Sequence, residues 1–283
     1  QLSMDVFCFD YRLAPEHPYP AAVDDAQAAW DYLMLQGYGA KDIFVAGDSA
    51  GGNLALALGL RLKKQKRMLP AGFVLMSPWT DLTVSGKTHV TKADVDPVLN
   101  QNYLNEMIEN YVPQAKKVQM EAVKPLQEAG TLQEGNILQA ADTLREANAL
   151  QEGNIIRAAG TLQERNTLQT ANTLQTAGTE KQKPGDKSAN KVFEEIFDTE
   201  YLRNPEISPL FGDFTGFPPT YIQVGDLEVL MSDSTMLQKK MSGEGVAVSL
   251  DTYKNMWHVF QMGPFKTAVE AIHKCGEFIY SVQ

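Results

Sequence analysis

The sequence predicts an α/β domain in which helices flank a mostly parallel sheet. Short apolar segments alternate with segments of helical character, and this alternation favours parallel strands joined by right-handed crossovers. One of the strands continues without a spacer into the motif GDSAG (47–51) and then into a helix. The chain has 283 residues, 43% of them hydrophobic, so it can bury one large core.

Each predicted element has a local signal. The strands are predicted from short, mainly apolar runs at residues 4–10, 43–46, 73–76, 220–224 and 247–253. The helices are predicted from helix-forming segments at residues 21–36, 50–64, 97–111, 232–243 and 266–280. Pro20 and Gly37 bound the first helix, at positions that suit these two residue types. Three prolines between residues 10 and 20 predict a rigid loop before that helix.

A tandem repeat separates the two halves of this pattern. Residues 126–179 consist of nine hexapeptides, among them LQEAGT, LQEGNI and LQTANT. A period of six places successive leucines on three faces of a helix, and one bulky residue in six is too few for a hexapeptide β-helix. The repeat therefore predicts a low-complexity insertion, mobile or partly helical, without catalytic chemistry. We divide the chain into a first core segment (1–115), the insertion (116–190) and a second core segment (191–283).

Composition narrows the classes of function. A net charge of −10 argues against a nucleic-acid partner. The two cysteines, Cys8 and Cys275, lack the spacing of a metal site or of a disulfide framework. No apolar run has the length of a membrane span and no signal peptide is visible, so we expect no stable membrane insertion and a cytoplasmic location. The sequence leaves the oligomeric state open.

The G-x-S-x-G motif around Ser49 indicates nucleophilic catalysis. A strand, this motif and a helix in direct succession are the context of a nucleophile elbow. Because the turn is tight, we expect the flanking Gly47 and Gly51 positions to tolerate almost no side chain. Such a turn raises the serine hydroxyl above the sheet and directs the first amides of the helix towards the carbonyl under attack.

A nucleophilic serine needs a base, and the base needs an orienting carboxylate. Of the four histidines, His258 lies in a short loop after the last predicted strand, at the sheet edge where Ser49 is also expected. Three candidate acids, Asp226, Glu228 and Asp233, follow the preceding strand. Asp226 is nearest the strand end, and Asp233 could instead serve as a first-turn dipole partner or as a cap for the next helix. Position alone leaves the choice of acid open.

Six motifs stand out along the chain: DYRLAPEH (10–17), GDSAGG (47–52), SPWTD (77–81), ISPL (207–210), PPTYIQVGD (218–226) and MWH (256–258). Together they resemble the hormone-sensitive-lipase family of α/β-hydrolases, which are esterases with a GDSAGG elbow. The resemblance covers most of residues 3–113 and 192–282. It implies the α/β-hydrolase fold and esterase activity.

The resemblance also ranks the acids and identifies an oxyanion donor. In the family the acid lies nine residues after a pair of prolines, a position that Glu228 occupies here, so we rank Glu228 first and Asp226 second. The family's His-Gly-Gly-Gly loop, which donates oxyanion amides, is absent from this sequence, and the Ala50 amide is the donor that can be named. Since the sequence begins with Gln1, after the position of that loop and of a central strand, we interpret it as N-terminally truncated. We expect residues 1–283 alone to be unstable or nearly inactive.

The sequence thus predicts a serine carboxylic-ester hydrolase that works through an acyl-enzyme, requires no metal or cofactor, and acts on a small-molecule ester. A peptidase or amidase of the same fold is an alternative, because a triad does not choose the leaving group. A catalytically impaired fragment or ligand-binding relative is another, since plant gibberellin receptors resemble this family but lack the triad histidine. The presence of His258 favours the enzyme. An interaction protein built on the repeat is disfavoured, because the repeat offers no continuous apolar face.

Overall fold

A computed structural model describes residues 4–117 and 188–283. The hexapeptide repeat, and with it the prediction of a mobile or partly helical insertion, lies outside the described residues.

The described residues form a parallel sheet with helices between its strands. The strands are β1 (Phe44–Asp48), β2 (Gly72–Met76), β3 (Thr220–Gly225) and β4 (Val248–Tyr253). The helices are α1 (Ala21–Leu35), α2 (Ala50–Lys64), α3 (Thr88–Thr91), α4 (Gln101–Tyr111), α5 (Ser188–Ile196), α6 (Thr199–Leu202), α7 (Met231–Gly243) and α8 (Lys266–Val282). The strand order is β1-β2-β3-β4 and each neighbouring pair is parallel. The carboxyl ends of these strands therefore meet at one edge of the sheet, which confirms the predicted α/β architecture.

Helix α4 begins four residues later than the sequence predicts, at Gln101 instead of residue 97. The Asn100 side chain accepts a hydrogen bond from the Tyr103 amide at 3.0 Å and so caps the helix. The Asp96 carboxylate accepts two backbone amides in the turn before it. These polar side chains hold residues 97–100 in a turn instead of a helix.

The strand predicted at residues 4–10 is absent. Residues 5–10 are exposed and belong to no strand; Val6, for example, is 79% exposed and Phe7 48%. A strand requires a neighbour for its N–H and C=O groups, and β1, the end strand of the described sheet, pairs with β2 alone. Apolar composition predicted this strand, but no described strand lies beside the segment to pair with it.

Different helices cover the two faces of the sheet. Along β2, Phe73 and Leu75 pack in a cluster with side chains of α2 and α7. Val74, which lies between them, packs instead with Cys275 and Ile279 of α8. Successive strand residues point to opposite faces, so β2 is apolar throughout, as a parallel strand buried on both faces must be.

A third apolar cluster fixes the loop after β3. It joins Trp79 and Leu82, which follow β2, to side chains of α4 and α5 and to Val229 and Leu230. Val229 and Leu230 are 1% and 0% exposed. Packing on this cluster therefore restrains the backbone that carries their neighbour Glu228.

Candidate active site

Ser49 occupies the turn between β1 and α2, where the sequence predicts a nucleophile elbow. Its φ of 52° and ψ of −121° lie in a region that costs a residue with a side chain about 1–3 kcal/mol. The Ser49 amide donates to the Met76 carbonyl at 2.9 Å, and the Ser49 carbonyl accepts the Gly52 and Trp79 amides at 3.0 and 3.1 Å. Hydrogen bonds to the end of β2 and within the first turn of α2 thus hold the strained turn.

The glycines of the elbow differ in what surrounds them. A Cβ atom on Gly47 would lie 2.2 Å from the Gly51 carbonyl oxygen, so no side chain fits there. A Cβ on Gly51 would meet no atom within 4 Å, and the expectation of steric crowding at Gly51 is wrong. Gly51 lies on the open side of the first helical turn, whereas Gly52 faces Pro78, whose Cβ would be 2.7 Å from an added Cβ. The crowded pair is therefore Gly47 and Gly52.

His258 lies in the loop between β4 and α8 and connects two other side chains. Its Nε2 is 2.9 Å from Ser49 Oγ, and its Nδ1 is 2.9 Å from Glu228 Oε2. The His258 side chain is 6% exposed. A carboxylate only accepts hydrogen bonds, so the imidazole proton belongs on Nδ1, which leaves Nε2 to accept the serine hydroxyl.

Glu228 is fully buried behind His258. Its Oε1 accepts the Gly225 amide at 2.6 Å and the Ser77 hydroxyl at 2.7 Å, and its Oε2 faces His258 Nδ1. A buried carboxylate without donors would be costly. The two donors to Oε1 offset that cost and leave Oε2 directed at the imidazole.

The other candidate acids do not reach His258. Asp226 Oδ1 accepts the Asn255 amide at 2.7 Å and so fixes the turn after β4. Asp233 lies in the first turn of α7, as one of the predicted alternatives has it, but it does not cap the helix. It is fully buried, accepts two backbone amides of the segment after β2 and contacts His89 Nε2 at 3.0 Å. Burial raises the pKa of the Asp233 carboxyl group above its ordinary value.

Ala50 is the first residue of the 15-residue helix α2 and directly follows Ser49. The first amides of a helix have no acceptor in a preceding turn, and the helix dipole places partial positive charge at this end. An oxygen that becomes negative beside Ser49 Oγ can therefore be stabilised by the Ala50 amide.

Residues 4–117 and 188–283 contain neither a candidate metal site nor a candidate membrane span. Over those ranges no three or more His, Cys, Asp or Glu side chains are grouped so that they could hold a metal ion. No helix of the same ranges combines the length and the apolar character that crossing a bilayer requires. The expectation of chemistry without a metal or cofactor stays a prediction.

Sequence reasoning assigned no role to Ser77 or to the contact between His89 and Asp233. Ser77 was noted in the sequence only as the first residue of the SPWTD motif. Its position directly after β2, at the sheet edge shared by the serine, acid and histidine loops, is the signal that could have identified it.

The sequence and the fold of the chain are both similar to those of known proteins. A family model described as the α/β hydrolase fold matches residues 1–149 and 135–262. An esterase of Acinetobacter venetianus is 30% identical over 281 residues, which cover 99% of this chain and 65% of that protein. An acetyl-hydrolase of Streptomyces hygroscopicus is 28% identical over 255 residues, or 90% of this chain and 57% of that protein. The crystal structure of a hormone-sensitive lipase from a metagenome library has a TM-score of 0.63 and 30% identity, covering 96% of this chain and 64% of its own. The chain spans less than two thirds of the length of each.

Proposed function

Since the chain belongs to the hormone-sensitive-lipase family of α/β-hydrolase-fold proteins, we propose that it hydrolyses carboxylic esters with Ser49 as nucleophile. The observation that carries the proposal is the hydrogen-bonded series from Ser49 Oγ through His258 to Glu228, in which both links measure 2.9 Å. The names of two relatives, an esterase and an acetyl-hydrolase, support a small-molecule ester as the substrate.

In the proposed reaction, Ser49 Oγ forms a bond to the ester carbonyl carbon while its proton passes to His258 Nε2. The carbon–oxygen bond to the alcohol then breaks, and the alcohol leaves with the proton from His258. Water attacks the acyl-serine, with its proton passing to His258, and the acid departs as Ser49 recovers its hydroxyl. Glu228 keeps the imidazole in the required tautomer and stabilises the imidazolium that forms in each half-reaction.

The negative oxygen of each tetrahedral intermediate needs hydrogen-bond donors. The Ala50 amide is the donor we assign, and the positive end of the α2 dipole supports it. Removal of one oxyanion donor typically lowers kcat by about 10²–10³.

Two other functions use the same residues. A peptidase or amidase would differ in the leaving group, and comparison of p-nitrophenyl acetate with the corresponding p-nitroanilide separates it from an esterase. A ligand-binding relative would not need a base at the serine. The 2.9 Å contact between His258 Nε2 and Ser49 Oγ favours an enzyme.

Labelling with a fluorophosphonate probe tests the proposal, because the probe reports an activated serine whatever the natural substrate is. In a form of the protein that is active, we expect labelling at Ser49 and no labelling of the Ser49→Ala variant. Ser208→Ala is the matched control: this buried serine accepts the Leu82 amide at 3.0 Å, and its variant should label like the parent. A form that carries an oxyanion loop and unfolds cooperatively, but neither labels nor hydrolyses p-nitrophenyl acetate, would contradict the proposal and favour a ligand-binding relative.

A further inference from the structure

Ser77 directly follows β2 and is held tightly in place. The residue is fully buried, and its φ of 49° lies in the left-handed region that favours glycine. Its amide donates to the Gln223 carbonyl of β3 at 2.7 Å. The backbone is thus fixed between two central strands, and the position retains a side chain despite the unfavourable φ.

The Ser77 hydroxyl connects the loops that carry the acid and the base. It donates to Glu228 Oε1 at 2.7 Å and accepts the Val259 amide at 3.3 Å. Val259 is the neighbour of His258 and also has a positive φ, of 52°. A hydroxyl has one proton to donate, and here that proton points to the carboxylate while the oxygen accepts from the histidine loop.

We propose that Ser77 is a positioning residue for ester hydrolysis, which orients Glu228 and through it His258; this inference rests on the proposed function. Without the hydroxyl, Oε1 would keep the Gly225 amide as its remaining described donor, and the carboxylate would be freer to rotate away from Nδ1. The hydroxyl and the amide are both neutral, so they orient Glu228 without cancelling the negative charge that the imidazolium requires.

If Ser77 had only a structural role, its hydroxyl would do no more than form the hydrogen bonds of a buried turn. Two substitutions distinguish this role from the positioning of Glu228. Ser77→Ala removes the hydroxyl and keeps the Cβ, whereas Ser77→Gly removes the hydroxyl and relieves the backbone at φ 49°. We expect both variants to lower kcat by about 10- to 100-fold, the range for a lost hydrogen bond to a charged group. KM should stay near that of the parent. The Ser208→Ala control should keep the parent's kcat. A Ser77→Gly variant that folds and retains full kcat would overturn the inference.

A double-mutant comparison provides a readout that a structural role would not change. If Ser77 acts through the carboxylate, Ser77→Gly should cost almost nothing further in the Glu228→Gln background, because the oriented charge is already gone. The same fold-loss in both backgrounds would contradict the inference.

The proton NMR signal of His258 Nδ1–H tests the inference separately from the reaction. We expect Ser77→Gly to displace or broaden this signal and Ser208→Ala to leave it in place. An unchanged signal in Ser77→Gly would overturn the positioning role, whereas hydrolysis that survives Ser49→Ala would contradict the proposed function instead.

Discussion

Replacement of Gly47 by alanine perturbs the elbow at its most crowded point. The added Cβ would lie 2.2 Å from the Gly51 carbonyl oxygen and 2.4 Å from its carbonyl carbon, and both are backbone atoms. Ordinary contact between carbon atoms begins at roughly 3.5 Å, so the start of α2 would have to move by about 1 Å relative to β1. Displacement of that size separates Ser49 Oγ from His258 Nε2, which are 2.9 Å apart.

We expect Gly47→Ala to lose about 3 kcal/mol or more of the free energy of unfolding, at the upper end of overpacking costs. This corresponds to a Tm lower by roughly 6–12 °C for a chain of this size. Ester hydrolysis should fall by about 10²-fold, the effect of a 1 Å misplacement of catalytic groups.

Gly51→Ala is the matched control, because its Cβ meets no atom within 4 Å. Alanine is the better helix former by up to about 1 kcal/mol, so this variant should melt at or above the parent's Tm. Thermal unfolding followed by circular dichroism measures both. Equal Tm values for Gly47→Ala and the parent would refute the steric account of the elbow.

Three further outcomes are expected. Glu228→Gln should lower kcat far more than Asp226→Asn, since Glu228 contacts His258 and Asp226 holds a turn; the opposite ranking in steady-state kinetics would reassign the acid. Replacement of residues 126–179 by a short Gly/Ser linker should leave ester hydrolysis near the parent's, because the proposed site residues lie outside that range; a large loss of kcat would contradict this. Burial raises the pKa of Cys275 to about 11 while Cys8 is exposed, so at pH 8 a thiol reagent should modify Cys8 first and Cys275 only after denaturation, as mass spectrometry can follow; equal rates in the native protein would contradict it.

Local sequence signals predicted the elements that depend on local interactions. The elbow strand, its turn and helix α2 were predicted within two residues of their bounds. This was possible because an apolar run, the glycines of the turn and a series of helix-forming residues follow one another directly. Segment 4–10 has a similar apolar run, but its structure depends on a neighbouring strand, which local composition does not report. Strand pairing joins residues that are far apart in the chain, so a local sequence pattern does not predict it.

The sequence predicted the nucleophile and the base of the candidate site as single residues, but it left several candidates for the acid. Ser49 and His258 follow from motif and topology, but the residues themselves left three acids open, and the family resemblance ranked Glu228 first. Position along the chain could not separate them, because the choice depends on which carboxylate the Gly225 amide and the Ser77 hydroxyl orient. The expectation of crowding at Gly51 was wrong because crowding also depends on three-dimensional geometry. The direction in which each residue of the first turn of α2 points decides which glycine faces Pro78.

The central claim is that Ser49 and His258 act as one catalytic unit. The measurement that tests it most directly is kcat for hydrolysis of p-nitrophenyl acetate by the parent, Ser49→Ala, His258→Ala and the double variant. In an active form of the protein, we predict that each single substitution lowers kcat by about 10⁴-fold or more and that the double variant is hardly worse, because residues of one unit are strongly non-additive. Most of the activity remaining in His258→Ala, or losses that multiply in the double variant, would contradict the claim.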